Sequence, residues 1–141
     1  MRINRFKAIP FLLVVGLMSY LSIDGSLGLM DSVYHLGDKV IVNGAFNDAS
    51  AFAGVVFFVS VFILFFVGFV TGRDLKWIPK IFFAILAGGS VFAFSIGWFV
   101  NIDLKQKLND KGFVECASER ELALKYSSRT YVLDPSLCDK L

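Results

Sequence analysis

Three runs of this chain carry no charged side chain: Ala8–Ile23 (AIPFLLVVGLMSYLSI), Ala51–Val70 (AFAGVVFFVSVFILFFVGFV) and Ile81–Val100 (IFFAILAGGSVFAFSIGWFV). A bilayer's hydrocarbon core is about 30 Å thick and a helix rises about 1.5 Å per residue, so about 20 residues cross it. The second and third runs have that length. The first reaches it if Phe6 joins and Lys7 extends its ammonium into the headgroups. Lipid offers backbone N–H and C=O groups no partners, so each run must be a helix. Apolar residues make up 56% of the 141 and charged residues 18%. Typical soluble domains have about 45–50% and about 25%, so too little polar surface is left to cover three such helices in water. The composition therefore argues against a soluble enzyme, a nucleic-acid binder and a disordered tail. The net charge of +2 is too small to imply an electrostatic partner.

The expected fold class is membrane all-α. Residues 1–100 form a three-helix transmembrane region, with helices at about 6–23, 51–70 and 81–100, a loop at 24–50 and a short loop at 71–80. Residues 101–141 form a small extracytoplasmic tail. The start MRINRFK before an apolar run also describes a secretory signal peptide. No clear small-x-small pair follows Ile23, which favours an uncleaved first helix; Gly25, Ser26 and Gly28 keep cleavage as the alternative.

Lys and Arg set the expected orientation. Arg2, Arg5 and Lys7 precede the first run, and Arg73, Lys76 and Lys80 lie between the second and third. Loop 24–50 holds Lys39 beside Asp24, Asp31, Asp38 and Asp48. The N-terminus and loop 71–80 are thus assigned to the cytoplasm, loop 24–50 and the C-terminus to the outside. Lys105, Lys107 and Lys111 after the third run argue mildly the other way, and six basic residues outweigh them. Trp98 and Trp77 suit the outer and inner interfaces.

Both cysteines, Cys116 and Cys138, fall in the segment assigned outside, where disulfides persist. Their bridge closes a 22-residue loop, for which chain entropy gives about 3 kcal/mol. The alternative is a pair of free thiols in a cytosolic tail. The spacing fits neither a C-x-x-C redox site nor a structural zinc site.

Within the tail, residues 112–116 and 129–133 read as strands, Ser118–Lys125 as helix or turn, and Asn101–Lys111 as a polar continuation of the third helix. Asp134 and Pro135 suit the N-cap and first position of a short helical turn that carries Cys138 back to Cys116. Lys39–Val42 is a candidate third strand, with Asn43-Gly44 as a turn.

The second and third runs hold no ionisable group; their polar side chains are Ser60, Ser90 and Ser95. Proton relays and ion-coupled carriers depend on such groups. His35 lies four residues after Asp31 and three before Asp38, a weak metal or acid/base constellation that reads better as a loop residue. No nucleophile elbow, phosphate loop or metal-spacing motif occurs. The expectation is therefore no catalytic residue, no cofactor, no metal and no enzyme activity. Gly89, Ala93 and Gly97 recur at four-residue spacing, which lets helix backbones approach closely. Their expected use is packing within the chain, with a partner helix or a second copy as alternatives. Phenylalanines spread around the second run suit a lipid face.

The tail pattern Gly112-Phe113-Val114-x-Cys116, then Arg129-Thr130-Tyr131-Val132-x-Asp134-Pro135-x-x-Cys138, resembles a family of small, uncharacterised inner-membrane proteins of enteric bacteria, a domain of unknown function. The size and layout are also similar to membrane-bound immunity proteins that guard against pore-forming bacteriocins or contact-delivered toxins. The resemblance implies a multi-pass protein of the bacterial inner membrane, with its N-terminus cytoplasmic and its C-terminus periplasmic, and transfers no catalytic residue. The expected function is non-enzymatic protein–protein contact, most concretely immunity against a toxin; the alternative is an accessory subunit or assembly factor of a larger membrane complex. Expected partners are the lipid bilayer and another protein, with no nucleic acid and the oligomeric state left open. Tyr34, His35 and Tyr131 are the candidate outward contacts.

Overall fold

Backbone that meets no water bonds to itself, and each apolar run lies inside a helix longer than the run. The computed structural model describes residues 5–72, 76, 78–122 and 127–138. Helix α1 is Arg5–Tyr34, and strand β1 is Lys39–Asn43. Helix α2, Ala45–Gly54, passes through a π turn at Val55–Val59 into α3, Ser60–Thr71, making one continuous span. Helix α4 is Lys80–Asp110, followed by strands β2 (Val114–Glu115), β3 (Glu121–Leu122) and β4 (Ser127–Val132). Three helices of this length and apolarity make the chain a multi-pass membrane protein of all-α type carrying a small antiparallel sheet.

The helices overrun the expected boundaries. Residues 24–34 and 45–50 are helical where a loop was expected, so the connection shrinks to residues 35–44. Charge marked where the chain leaves hydrocarbon, but no proline lies between Pro10 and Pro79, and a helix already nucleated extends at little cost. At about 1.5 Å per residue, the 30 residues of α1 and 31 of α4 reach about 45 Å, well beyond the hydrocarbon core. Gly72 ends α3 in the left-handed region (φ 67°), donating its N–H to the Gly68 carbonyl at 2.8 Å. Gly112 (φ 80°) ends α4 with the paired bonds of a Schellman turn, Gly112 N–H to Asn109 O and Phe113 N–H to Leu108 O.

That turn feeds the sheet. Strand β4 is central, with β1 along one side and β2 and β3 in succession along the other, all antiparallel. Val40 lies opposite Tyr131 and Val42 opposite Arg129. The connection after α1 and the tail after α4 therefore meet at one end of the bundle. Lys39–Val42 is a strand as expected, but Gly44 starts α2 instead of making a hairpin turn. Gly44 also donates to Ser127 O at 2.7 Å, and a Cβ there would collide with the Ser127 side chain.

The dense core lies at this junction. Leu29 of α1, Val40 and Val42 of β1, and Leu104 and Leu108 of α4 form one buried cluster, with Phe113 and Tyr131 packed on it. Asn101–Lys111 does continue the helix, as an amphipathic stretch with its leucines on the sheet. The helical spans are mostly exposed in the isolated chain, as lipid-facing surfaces are. Cys116 and Cys138 form a disulfide. Asp134 caps the Pro135–Leu137 turn by accepting the Ser136 N–H. Part of the Ser118–Lys125 segment is a 3-10 turn, Ala117–Glu119, followed by β3. Residues 123–126, like Arg2, Arg73 and Trp77, lie outside the described residues.

Candidate functional site

Two polar side chains flanking uncharged runs meet where the spans join the sheet. Asp48 lies three residues before the second run, and Asn101 directly follows the third. Both are buried, Asp48 at 2% exposure and Asn101 at 0%. The Asn101 Nδ2 donates to the Asp48 carboxylate at 2.5 Å and to the Asn43 carbonyl at 3.0 Å. One amide thus ties α4 to α2 and to the end of β1. The Asn101 Oδ1 is buried and meets no donor. Asp48 forms no ion pair among the described residues, and Lys105, one turn beyond Asn101, acts on it through space. Asp48 also lines a cavity of about 270 Å³ between α1, β1 and α2.

Small residues bring these elements together. A Cβ on Gly97 would sit 2.9 Å from the Ala49 Cα and 3.1 Å from the Asp48 carbonyl oxygen, so α4 and α2 touch backbone to backbone. Ala93 is buried on the same stripe, and Gly89 faces Val56 in ordinary contact. The stripe therefore packs within this chain. A second small-residue contact joins α1 to α2, with Gly25 against Ala51 and Gly54 against Ser22.

Ion pairs lie on both faces of the sheet: Lys39 with Glu119 at 2.9 Å, and, on the same face as Tyr131, Glu115 with Arg120 at 2.6 Å and Arg129 at 3.5 Å. Exposed pairs of this kind contribute about 0–1 kcal/mol each. Beside them Ile41, Val114, Leu122, Leu133 and Leu137 are exposed. Near the bundle end Phe46 meets Phe94 edge-on and Phe94 stacks with Trp98, a cluster suited to a membrane interface.

Of the expected contacts, Tyr34 is 72% exposed. His35 is exposed and pairs with Asp31 at 3.1 Å just past the end of α1. Tyr131 is half-buried and packs on the apolar cluster opposite Val40. Alternation along β4 turns it toward the helices. Among the described residues no three His, Cys, Asp or Glu side chains gather as a metal site.

Asp48 and Asn101 escape the sequence pattern because each falls in an expected loop or tail. The signal was present: each borders an uncharged run on the same expected side.

A sequence model of the family described as "Protein of unknown function (DUF1240)" matches residues 40–139. No curated protein and no solved structure matches the chain. The likeness to an uncharacterised domain is thus supported, whereas the enteric source rests on the resemblance of the tail and layout, and the immunity role on that of layout alone.

Proposed function

We propose that this chain, which belongs to the DUF1240 family of proteins of unknown function, is a non-enzymatic inner-membrane protein that acts by binding another protein. The observation carrying this reading is the rigid join between spans and sheet. The Asn101 amide, the Leu104 and Leu108 packing and the Cys116–Cys138 bridge hold exposed side chains such as Tyr34, Ile41 and Leu122 in fixed relative positions. A preordered surface loses less entropy on binding than a mobile one. The concrete role is immunity, with the chain intercepting a toxin in the membrane or at its outer face.

In this reading the N-terminus is cytoplasmic and the sheet periplasmic. The basic flanks of the first span and of loop 71–80 support that orientation, as does a disulfide in the tail. A membrane-impermeant thiol reagent applied to intact spheroplasts tests it. Labelling is expected only after reduction; labelling confined to lysed membranes would reverse the orientation. For the role itself, deleting the gene should sensitise cells to the toxin encoded beside it, and unchanged survival would sink the immunity reading.

A second reading is an accessory subunit or assembly factor. It is favoured by Gly88 on α4, where an added Cβ would meet nothing within 4 Å, leaving room for a partner helix. Stoichiometric partners co-purifying from unstressed cells would establish it in place of immunity.

A further inference from the structure

Asp48 is the one buried acidic side chain among the described residues. A buried carboxylate without a cation is costly, and an ionisable group on a spanning helix usually marks a working site. Asn101 and Asn43 donate side-chain hydrogen bonds to it and Lys105 acts on it through space, but no cation pairs with it among the described residues. The Asn101 Oδ1 beside it is a buried acceptor with no donor. The cavity beside Asp48 is lined on its apolar part by Leu29, Ile41 and Val42, and on its polar part by Ser32, Asn43 and Asp48. The Ser32 hydroxyl already donates to the Gly28 carbonyl, so its oxygen faces outward as an acceptor. No basic residue is among the lining residues.

We propose that this cavity receives a lysine side chain of the partner protein. It rests on the contact reading above and names the chemistry of that contact. An apolar four-carbon stem fits against Leu29, Ile41 and Val42, and the ammonium donates to the Asp48 carboxylate. A lipid ethanolamine headgroup fits worse. Its phosphate would follow two carbons behind the ammonium and meet the same carboxylate, with no lining cation to receive it.

The test uses the full-length, oxidised protein in detergent micelles, titrated with n-butylammonium chloride as the lysine mimic. NMR follows the Asn101 side-chain amide and the Asp48 carboxyl carbon. Both signals should shift saturably with butylammonium and stay unmoved by tetramethylammonium or sodium chloride at equal ionic strength. Asp48→Asn should weaken binding about tenfold or more, the loss expected for a charge-assisted bond. Gly28→Leu provides a variant that keeps the carboxylate. Gly28 lines the cavity and an added Cβ there meets nothing within 4 Å, so the leucine should obstruct the cavity and abolish the shift. An equal response to sodium chloride, no response, or unchanged binding in both variants overturns the proposal. The same shift produced by phosphatidylethanolamine nanodiscs, and absent in phosphatidylcholine ones, also overturns it and assigns the cavity to lipid. Any of these failures leaves the contact reading itself to the survival assay, which does not depend on Asp48.

Discussion

Asn101, the first residue after the third uncharged run, donates its side-chain amide to Asp48 at 2.5 Å, and both residues are buried. The bond sits where the bundle ends and the sheet begins, so it couples the two. Replacing Asn101 by Leu removes one of the two side-chain donors to a buried carboxylate, the other being Asn43, which should cost about 1–3 kcal/mol. Unfolding in mixed micelles reads that loss. Asp48→Ala in the Asn101→Leu background should cost less than the two single losses added, because the stranded charge is then gone. Strict additivity would mean that the two side chains are not coupled.

Glycines on α4 offer a graded test of helix contact. A methyl at Gly97 meets the α2 backbone, which cannot rotate away, so Gly97→Ala should destabilise by about 1–3 kcal/mol, the usual range for overpacking. At Gly88 a methyl meets nothing within 4 Å. There Ala should be neutral, or stabilising by up to about 1 kcal/mol from helix propensity. Gly89, with its nearest neighbour at 3.6 Å, should fall between them. A Gly97→Ala protein as stable as Gly88→Ala would refute backbone contact between α2 and α4.

The physics of lipid made much of this legible in advance. Uncharged length alone located the three spans, and alternation around Thr130 together with the Asp134-Pro135 signal located the sheet and the final turn. Composition could not locate Asp48. Charge ends the expected second span short of that carboxylate, and what lies over it there is the close approach of Gly97 and the Asn101 side chain. The π turn at Val55–Val59 left no mark in a run of valines and phenylalanines that suits any helix. Nothing in the tail alone tells which way Tyr131 faces. Its register opposite Val40 follows only once β1 is known to pair with β4.

Reducing the disulfide should loosen one edge of the sheet and leave the spans intact. Cys116 is buried and donates its N–H to the Thr130 carbonyl, whereas Cys138 is anchored to the sheet by the bridge after a single 3-10 turn. Closing a loop of this length contributes about 3 kcal/mol by chain entropy. Hydrogen exchange in the reduced protein should accelerate first at Leu137 and Cys138. Val40 and Val42, held by the ladder to β4 and by α4, should keep their protection. Simultaneous loss at all four would show that the bridge holds up the whole module.

Asp134 gives the turn a pH dependence with a definite sign. Its carboxylate accepts the Ser136 backbone N–H at 2.9 Å, and that bond lowers its pKa below the ordinary 3.8. A depressed folded-state value means that the stabilisation is complete above the unfolded pKa and fades as pH falls through the folded one. The side chain is fully exposed, so the effect is local. A carboxyl-carbon NMR titration should place the Asp134 midpoint below 3.8 in the oxidised protein. In the reduced protein, where the turn loses its anchor at Cys138, the midpoint should move back toward the ordinary value. A midpoint at or above 3.8 in the oxidised chain would mean that the turn does not hold the carboxylate in solution.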